Sequence, residues 1–221
     1  MEQRDVLSPG TPGVLTPALL AELLAAGHDP RGRSDFMLGQ PTGSRPEPVV
    51  PDGIPTPAAV LVALVQRDAG LTVLLTQRTA HLVHHPGQIS FPGGRLEPAD
   101  EGDPVVCALR ETEEEVGLSP EGVVVLGRLD DYVTGTGFVI TPVVGMARPP
   151  QSYLPDPFEV AEVFEVPLNF LADSANYRLV RREVGGRERH YWVVEWEQRL
   201  IWGATAGILV NFAEILARRG A

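Results

Sequence analysis

A run of eight apolar residues with no polar interruption, Ala58-Ala59-Val60-Leu61-Val62-Ala63-Leu64-Val65, constrains the fold more than any other segment of the chain. Successive side chains of a strand point to opposite faces, so an unbroken apolar run of strand length predicts burial on both. Such burial requires a sheet covered by helices on either side, the arrangement of an α/β protein. A turn at Asp68-Ala69-Gly70 and a second strand from Leu71 to Thr76 follow. Later strands are expected at Val123 to Leu129, Phe138 to Met146, Val160 to Val166 and Tyr191 to Trp196, with Pro149-Pro150 and the segment Pro155 to Pro157 marking loops. A final helix, Ala204 to Arg218, places Ile208, Leu209, Phe212, Ile215 and Leu216 on one side, and Arg218 and Arg219 in its last turn complement the helix dipole.

Ahead of this body, Pro9, Gly10, Pro12 and Gly13 make the first residues loose. A short helix is expected from Thr16, as cap, to Ala26, with Leu19, Leu20, Leu23 and Leu24 as its apolar stripe and an end near Gly27. From Asp29 to Gly53 the chain is rich in Pro, Gly and Ser and reads as a connecting strap. The expected organisation is an N-terminal extension, 1–55, and a globular domain, 56–221.

The net charge of −11, from 18 basic and 29 acidic residues, disfavours non-specific binding to nucleic acid or anionic membranes, because phosphate contacts need Lys and Arg. The single cysteine, Cys107, cannot form an internal disulfide and points to a reducing compartment. Its burial-prone residue type marks it as a packed side chain. The start, Met1-Glu2-Gln3-Arg4-Asp5, lacks a basic segment leading into an apolar run, and the chain has no stretch of about 18 apolar residues, so a cytoplasmic location is expected.

Chemistry concentrates in Arg110-Glu111-Thr112-Glu113-Glu114-Glu115-Val116-Gly117-Leu118. On a helix, spacings of three and four bring Glu111, Glu114 and Glu115 onto one face, where like charges repel. A cation between them would relieve that repulsion, and Mg²⁺ is characteristically held by carboxylates together with water and substrate phosphates. Asp103-Pro104 supplies a cap and first turn, and Gly117 a stop. Val105, Ala108, Leu109, Thr112 and Val116 form a separate arc expected to bury against the sheet while the carboxylates point away.

These residues resemble the signature of the Nudix hydrolases: a glycine, a spacer, then Arg-Glu-(apolar)-x-Glu-Glu-x-Gly-(apolar). The spacer from Gly94 to Arg110 is about two residues longer than the common form, Thr112 stands where an aliphatic residue is usual, and the first acidic position falls on Glu97, Asp100 or Glu101. A second stretch, Leu74-Leu75-Thr76-Gln77-Arg78-Thr79 with Pro86-Gly87-Gln88-Ile89-Ser90-Phe91-Pro92-Gly93-Gly94, is similar to the extra motif of coenzyme A pyrophosphatases. Thr79 takes that motif's Ser/Ala place, and Val83 stands where a second Arg is expected; His81, His84 or His85 could substitute or be surface residues. Ile201-Trp202-Gly203-Ala204-Thr205-Ala206 resembles the tail of the same pattern.

The resemblance implies a Nudix fold, a mixed sheet sandwiched between helices, and hydrolysis of the pyrophosphate bond of coenzyme A or its thioesters to 4′-phosphopantetheine (or its acyl form) and adenosine 3′,5′-bisphosphate. It implies Mg²⁺ or Mn²⁺ on Glu111, Glu114 and Glu115, catalytic roles for Glu111, Glu114, Arg110 and Glu162, and substrate contacts from Arg78, Gly93 and Gly94. Arg110 would orient a neighbouring carboxylate. The general base stays open between Glu111 and a later carboxylate, with Glu162 and Glu159 ahead of Glu165. Phe138, Tyr153 or Trp202 could line a pocket for the acyl-pantetheine arm, although such aromatics are more often core residues. Two alternatives stand beside this reading: a Nudix pyrophosphatase for ADP-ribose or a dinucleotide, and a non-catalytic ligand-sensing module. The partner expected is a small nucleoside diphosphate, with homodimerisation left open.

Overall fold

The computed structural model describes residues 15–29, 32–35, 38, 54–82, 86–150, 152–184 and 187–220. Helix α1 (Pro17–Gly27) and the short strand β1 (Arg33–Ser34) precede a long hairpin, β2 (Thr56–Arg67) and β3 (Gly70–Arg78). Strands β4 (Ile89–Ser90) and β5 (Gly93–Arg95) lead into helix α2 (Pro104–Val116). Strands β6 (Val123–Arg128), β7 (Tyr132–Val133), β8 (Phe138–Ala147) and β9 (Val160–Pro167) follow, then the single turn α3 (Leu168–Leu171). The chain continues through β10 (Tyr177–Val184), β11 (Arg187–Trp196) and β12 (Arg199–Trp202) to helix α4 (Ala204–Ala217).

Nine strands form one mixed sheet in the order β1-β7-β8-β2-β3-β4, with β5 paired to β2, β6 to β8 and β9 to β3. The β2–β8 and β1–β7 pairs are parallel, whereas β2–β3 and β3–β9 are antiparallel. Strand β2 bears out the expectation of burial on both faces. Its odd residues Ala59, Leu61, Ala63 and Val65 pack with Cys107, Ala108 and Val116 of α2, while Val62 and Leu64 share a core with Leu20 and Leu24 of α1 and Leu209, Phe212 and Ile215 of α4. The result is an α/β sandwich with α2 on one face and α1 and α4 on the other.

Thr16 caps α1, its hydroxyl accepting a hydrogen bond from the Leu19 amide at 3.2 Å. The segment that follows α1 is stapled to the body: the buried Asp130 carboxylate accepts from Arg33 Nε (3.0 Å) of β1 and Asn211 Nδ2 (3.0 Å) of α4. Strands β10 and β12 were not anticipated. With β11 they form a separate antiparallel sheet, and β10, Tyr-Arg-Leu-Val-Arg-Arg-Glu-Val, is too charged to register as a buried strand. Arg178, Arg181 and Arg182 are exposed there, so a partly solvated sheet conceals its period-2 pattern. Among the described residues, no helix is long and apolar enough to cross a membrane.

Candidate active site

Helix α2 is delimited as its sequence dictates. Asp103 Oδ1 accepts from the Val105 amide at 2.8 Å, Pro104 opens the first turn, and Gly117 closes the helix with a left-handed φ of 71°. Thr112, in the place of an aliphatic residue, is fully buried because its hydroxyl donates to the Ala108 carbonyl at 2.6 Å, leaving its methyl to pack. The acidic face does not point away from the protein as a unit. Glu114 is exposed, Glu111 is mostly covered, and Glu115 lies beside the apolar arc at 5% exposure.

The glycine pair explains how the helix approaches the sheet. Gly93, at φ 151°, pairs with Val60, and a Cβ there would run into the backbone of Ala59 and Val60. A Cβ on Gly94 would overlap the Glu111 carboxylate itself. The bare β5 backbone is therefore the floor of the pocket that holds Glu111.

Asp100 resolves the open acidic position. It ends the short 3₁₀ turn Pro98–Asp100, accepts from the Glu97 amide at 2.8 Å, and is buried. Arg110 grips it in bidentate fashion, Nε to Oδ1 at 2.9 Å and Nη2 to Oδ2 at 3.0 Å, which holds its carboxyl down at about 2; burial opposes that effect. Nη1 of the same guanidinium reaches Glu111 Oε1 (2.9 Å) and Glu114 Oε2 (3.1 Å). Arg110 thus bonds three carboxylates, those of Asp100, Glu111 and Glu114. Glu101 and Gly102, both at positive φ, turn the chain between Asp100 and the Asp103 cap and absorb the longer spacer.

A loop carboxylate completes the cluster. The Leu154 and Asp156 amides donate to the Val116 and Glu115 carbonyls, at 2.9 and 3.0 Å, tying the segment after β8 to the end of α2. Thr79 then fixes its far end, the amide donating to Glu159 O (2.9 Å) and the hydroxyl to Phe158 O (2.8 Å). Glu159 lands close enough to raise both Glu111 and Glu115. Burial pushes Glu115 up to about 8; Arg78 opposes this, Glu159 and Glu111 add to it, and a backbone hydrogen bond from Gly93 opposes it again. Glu111 is also raised, first by burial, against Arg110 and with Glu114 and Glu159.

Glu162 is not brought to this cluster. In the β3–β9 register Glu162 pairs with Gln77 and Glu165 with Leu74, so they face opposite sides of the sheet, and Glu162 lies on the side of α4 with Arg199 Nη2 at 2.5 Å. Strand alternation carries it across the sheet from Glu111. Glu165, on the α2 side, is consumed by Arg67 (Nη2 2.6 Å), Thr72 (2.6 Å) and Tyr153 (2.6 Å). Of the expected pocket aromatics, Tyr153 is spent on that bond and Phe138 lies under the Arg95 guanidinium at 5.2 Å, leaving Trp202 at a cleft. His81 contacts Phe158 edge-on at 4.9 Å, and Val83, His84 and His85 lie outside the described residues.

Among the described residues no three Asp, Glu, His or Cys groups are placed so that they could hold one ion. The chemistry of the neighbouring groups suits a hard divalent cation: Glu111, Glu114, Glu115 and Glu159 all offer oxygen, and the buried Glu115 carboxyl feels Arg78 as its opposing cation. Cys107 is no competitor, since burial pushes its thiol up to about 11.

The NUDIX domain family model matches residues 55–184. Over 157 residues the chain is 40% identical to the uncharacterized Nudix hydrolase NudL of Enterobacter sp. (strain 638) and 41% identical to that of Escherichia coli (strain K12), each match covering 71% of this chain and 80% of the relative. The crystal structure of a Nudix hydrolase from M. smegmatis, RenU, matches at 28% identity over 53% of this chain and 74% of that one, with a TM-score of 0.42. The chain belongs to the Nudix family. It is a Nudix hydrolase acting on a nucleoside diphosphate derivative, in a family whose hydrolases generally use divalent metal ions.

Proposed function

We propose that the protein hydrolyses the pyrophosphate bond of coenzyme A or its thioesters, releasing 4′-phosphopantetheine (or its acyl form) and adenosine 3′,5′-bisphosphate, with Mg²⁺ or Mn²⁺ on Glu111, Glu114 and Glu115. The observation that carries this reading is where the second sequence motif, residues 74–79 and 86–94, comes to lie. It frames the carboxylates: Arg78 acts on Glu115, β4 pairs with β3, and Gly94 abuts Glu111.

A bound divalent ion supplies charge neutralisation at the diphosphate and lowers the pKa of attacking water. The chain's own groups do the rest. Arg110, anchored on Asp100, fixes the rotamers of Glu111 and Glu114. Arg78 presents a guanidinium that can move from Glu115 to a phosphate oxygen. Glu159, held between Thr79 and the end of α2, accepts the proton from water as general base. Gly93 lets β5 lie against β2, and Gly94 leaves room for the Glu111 carboxylate over the β5 backbone.

Val83, where the coenzyme A motif carries Arg, favours a second reading, a pyrophosphatase for ADP-ribose or a dinucleotide. One substrate panel decides. Purified protein with Mg²⁺ is incubated separately with coenzyme A, ADP-ribose and dinucleotides, and products are identified by mass. Coenzyme A split into the two named products is expected. Cleavage of ADP-ribose or a dinucleotide alone overturns the coenzyme A assignment, and binding without cleavage identifies a sensor.

A further inference from the structure

A cleft lies on the opposite side of the sheet from α2, between the β3–β4 edge and the turn joining β11 to β12. Its volume is about 720 Å³, within the range of small-molecule sites. It is tied to the carboxylate cluster by sequence: Gln77 lines the cleft, and the next residue, Arg78, faces Glu115. A substrate whose diphosphate meets Arg78 would thus have the cleft one residue away along β3.

Charge decides which half of a substrate the cleft suits. Its ionised groups are Glu162, Glu197 and Arg199, and the single guanidinium is committed to both carboxylates, Nη2 to Glu162 at 2.5 Å and Nη1 to Glu197 at 2.6 Å. Among the described residues lining it the balance is one negative charge, with no uncommitted cation for a phosphate, so a phosphorylated nucleoside would be disfavoured. The remaining surface is a mixture of carboxamide and hydrocarbon. Gln77 and Gln198 offer amide donors and acceptors, while Trp202 and Leu200, 39% and 46% exposed, offer apolar area. Trp202 is held edge-on by Tyr191 at 5.7 Å, so its indole is fixed in place rather than ordered on binding.

We propose that this cleft binds the uncharged, amide-bearing pantetheine arm of the substrate, with Trp202 as its apolar wall. The assignment rests on the coenzyme A reading above and deepens it. Pantetheine carries two amides, a hydroxyl and a branched dimethyl carbon and has no charge, matching a site with two carboxamides, hydrocarbon and a slight negative balance.

The test measures pantetheine binding to the full chain by calorimetry and compares steady-state kinetics on coenzyme A with Mg²⁺ for the wild type, Trp202→Ala, Trp202→Phe and Leu200→Glu. Leu200 is half in solvent, so Leu200→Glu tests the cleft even if Trp202→Ala unfolds the hairpin. Pantetheine is expected to bind and to compete with coenzyme A. Trp202→Ala and Leu200→Glu are expected to raise KM for coenzyme A and weaken pantetheine binding at least about tenfold, with kcat changed far less, and Trp202→Phe to recover most of the loss. Pantetheine that neither binds nor competes, or KM unchanged in both disruptive variants, overturns the cleft assignment while coenzyme A turnover still stands. A wild type that binds pantetheine but leaves coenzyme A intact overturns the reaction and not the cleft.

Discussion

Replacing Gly94 by alanine separates the position of Glu111 from the stability of the fold. A Cβ at residue 94 would sit 2.5 Å from both oxygens of the Glu111 carboxylate, where ordinary contacts begin at 3.4 Å. The β5 backbone cannot yield easily, because Gly94 is registered against Ala59 of the central strand β2. The carboxylate must instead retreat by roughly 1 Å, a displacement of the size that can cost about a hundredfold in rate. Stability is affected little: Gly94 has no positive φ, and the clash falls on the end of a flexible side chain, so a change within about 1 kcal/mol is expected. Gly94→Ala should therefore retain the thermal midpoint to within about 4 °C while kcat on the cleaved nucleoside diphosphate falls about a hundredfold. Calorimetric melting and steady-state turnover on one preparation provide both numbers. Wild-type kcat in a folded Gly94→Ala protein would refute the claim that the Gly94 floor positions a catalytic carboxylate.

Glu115→Gln removes the buried oxygen donor and should lower turnover at least about a hundredfold, measured at saturating metal; near-normal activity would remove Glu115 from the metal set. Asp100→Ala strands Arg110 at its bidentate end, and because Arg110 retains Glu111 and Glu114 the loss should fall near the lower limit for a broken buried pair, about 3 kcal/mol in urea unfolding. A loss below about 1 kcal/mol would show the pair to be dispensable. Burial alone would raise the Glu165 carboxyl, but hydrogen bonds from Arg67, Thr72 and Tyr153 hold it at about 2. A carboxyl depressed on folding stabilises above its unfolded value near 4.5 and loses that contribution as pH falls towards 2. The wild-type midpoint should accordingly drop more steeply than that of Glu165→Gln between pH 4.5 and 2, and parallel curves would contradict the assignment.

The sandwich was legible because β2 is apolar on both faces, and α2 because Asp103, Pro104 and Gly117 announce its limits within the helix itself. What escaped depends on long-range register. Glu97, Asp100 and Glu101 are chemically interchangeable in sequence, and only the turn that buries one of them beneath Arg110 distinguishes Asp100. The spacing of Glu111, Glu114 and Glu115 was readable, but their unequal burial was not, since it follows from the packing of α2 on β2 and β5 and from the loop that brings Glu159 near Glu115.

Strand β9 shows why two features resist sequence reading for the same reason. Glu162 and Glu165 look equivalent in Val-Ala-Glu-Val-Phe-Glu-Val-Pro, yet a separation of three residues is odd, so a pleated strand must send them to opposite faces. The α2 face takes Glu165 into a lock with Arg67, Thr72 and Tyr153, and through Tyr153 that lock steadies the loop leading to Glu159. The α4 face takes Glu162 to Arg199, at the wall of the Trp202 cleft. On the coenzyme A reading proposed above, one strand would serve both ends of an elongated substrate, holding the carboxylate loop on one side of the sheet and the arm cleft on the other. The diphosphate would then lie at the end of β3, where Gln77 lines the cleft and its neighbour Arg78 acts on Glu115.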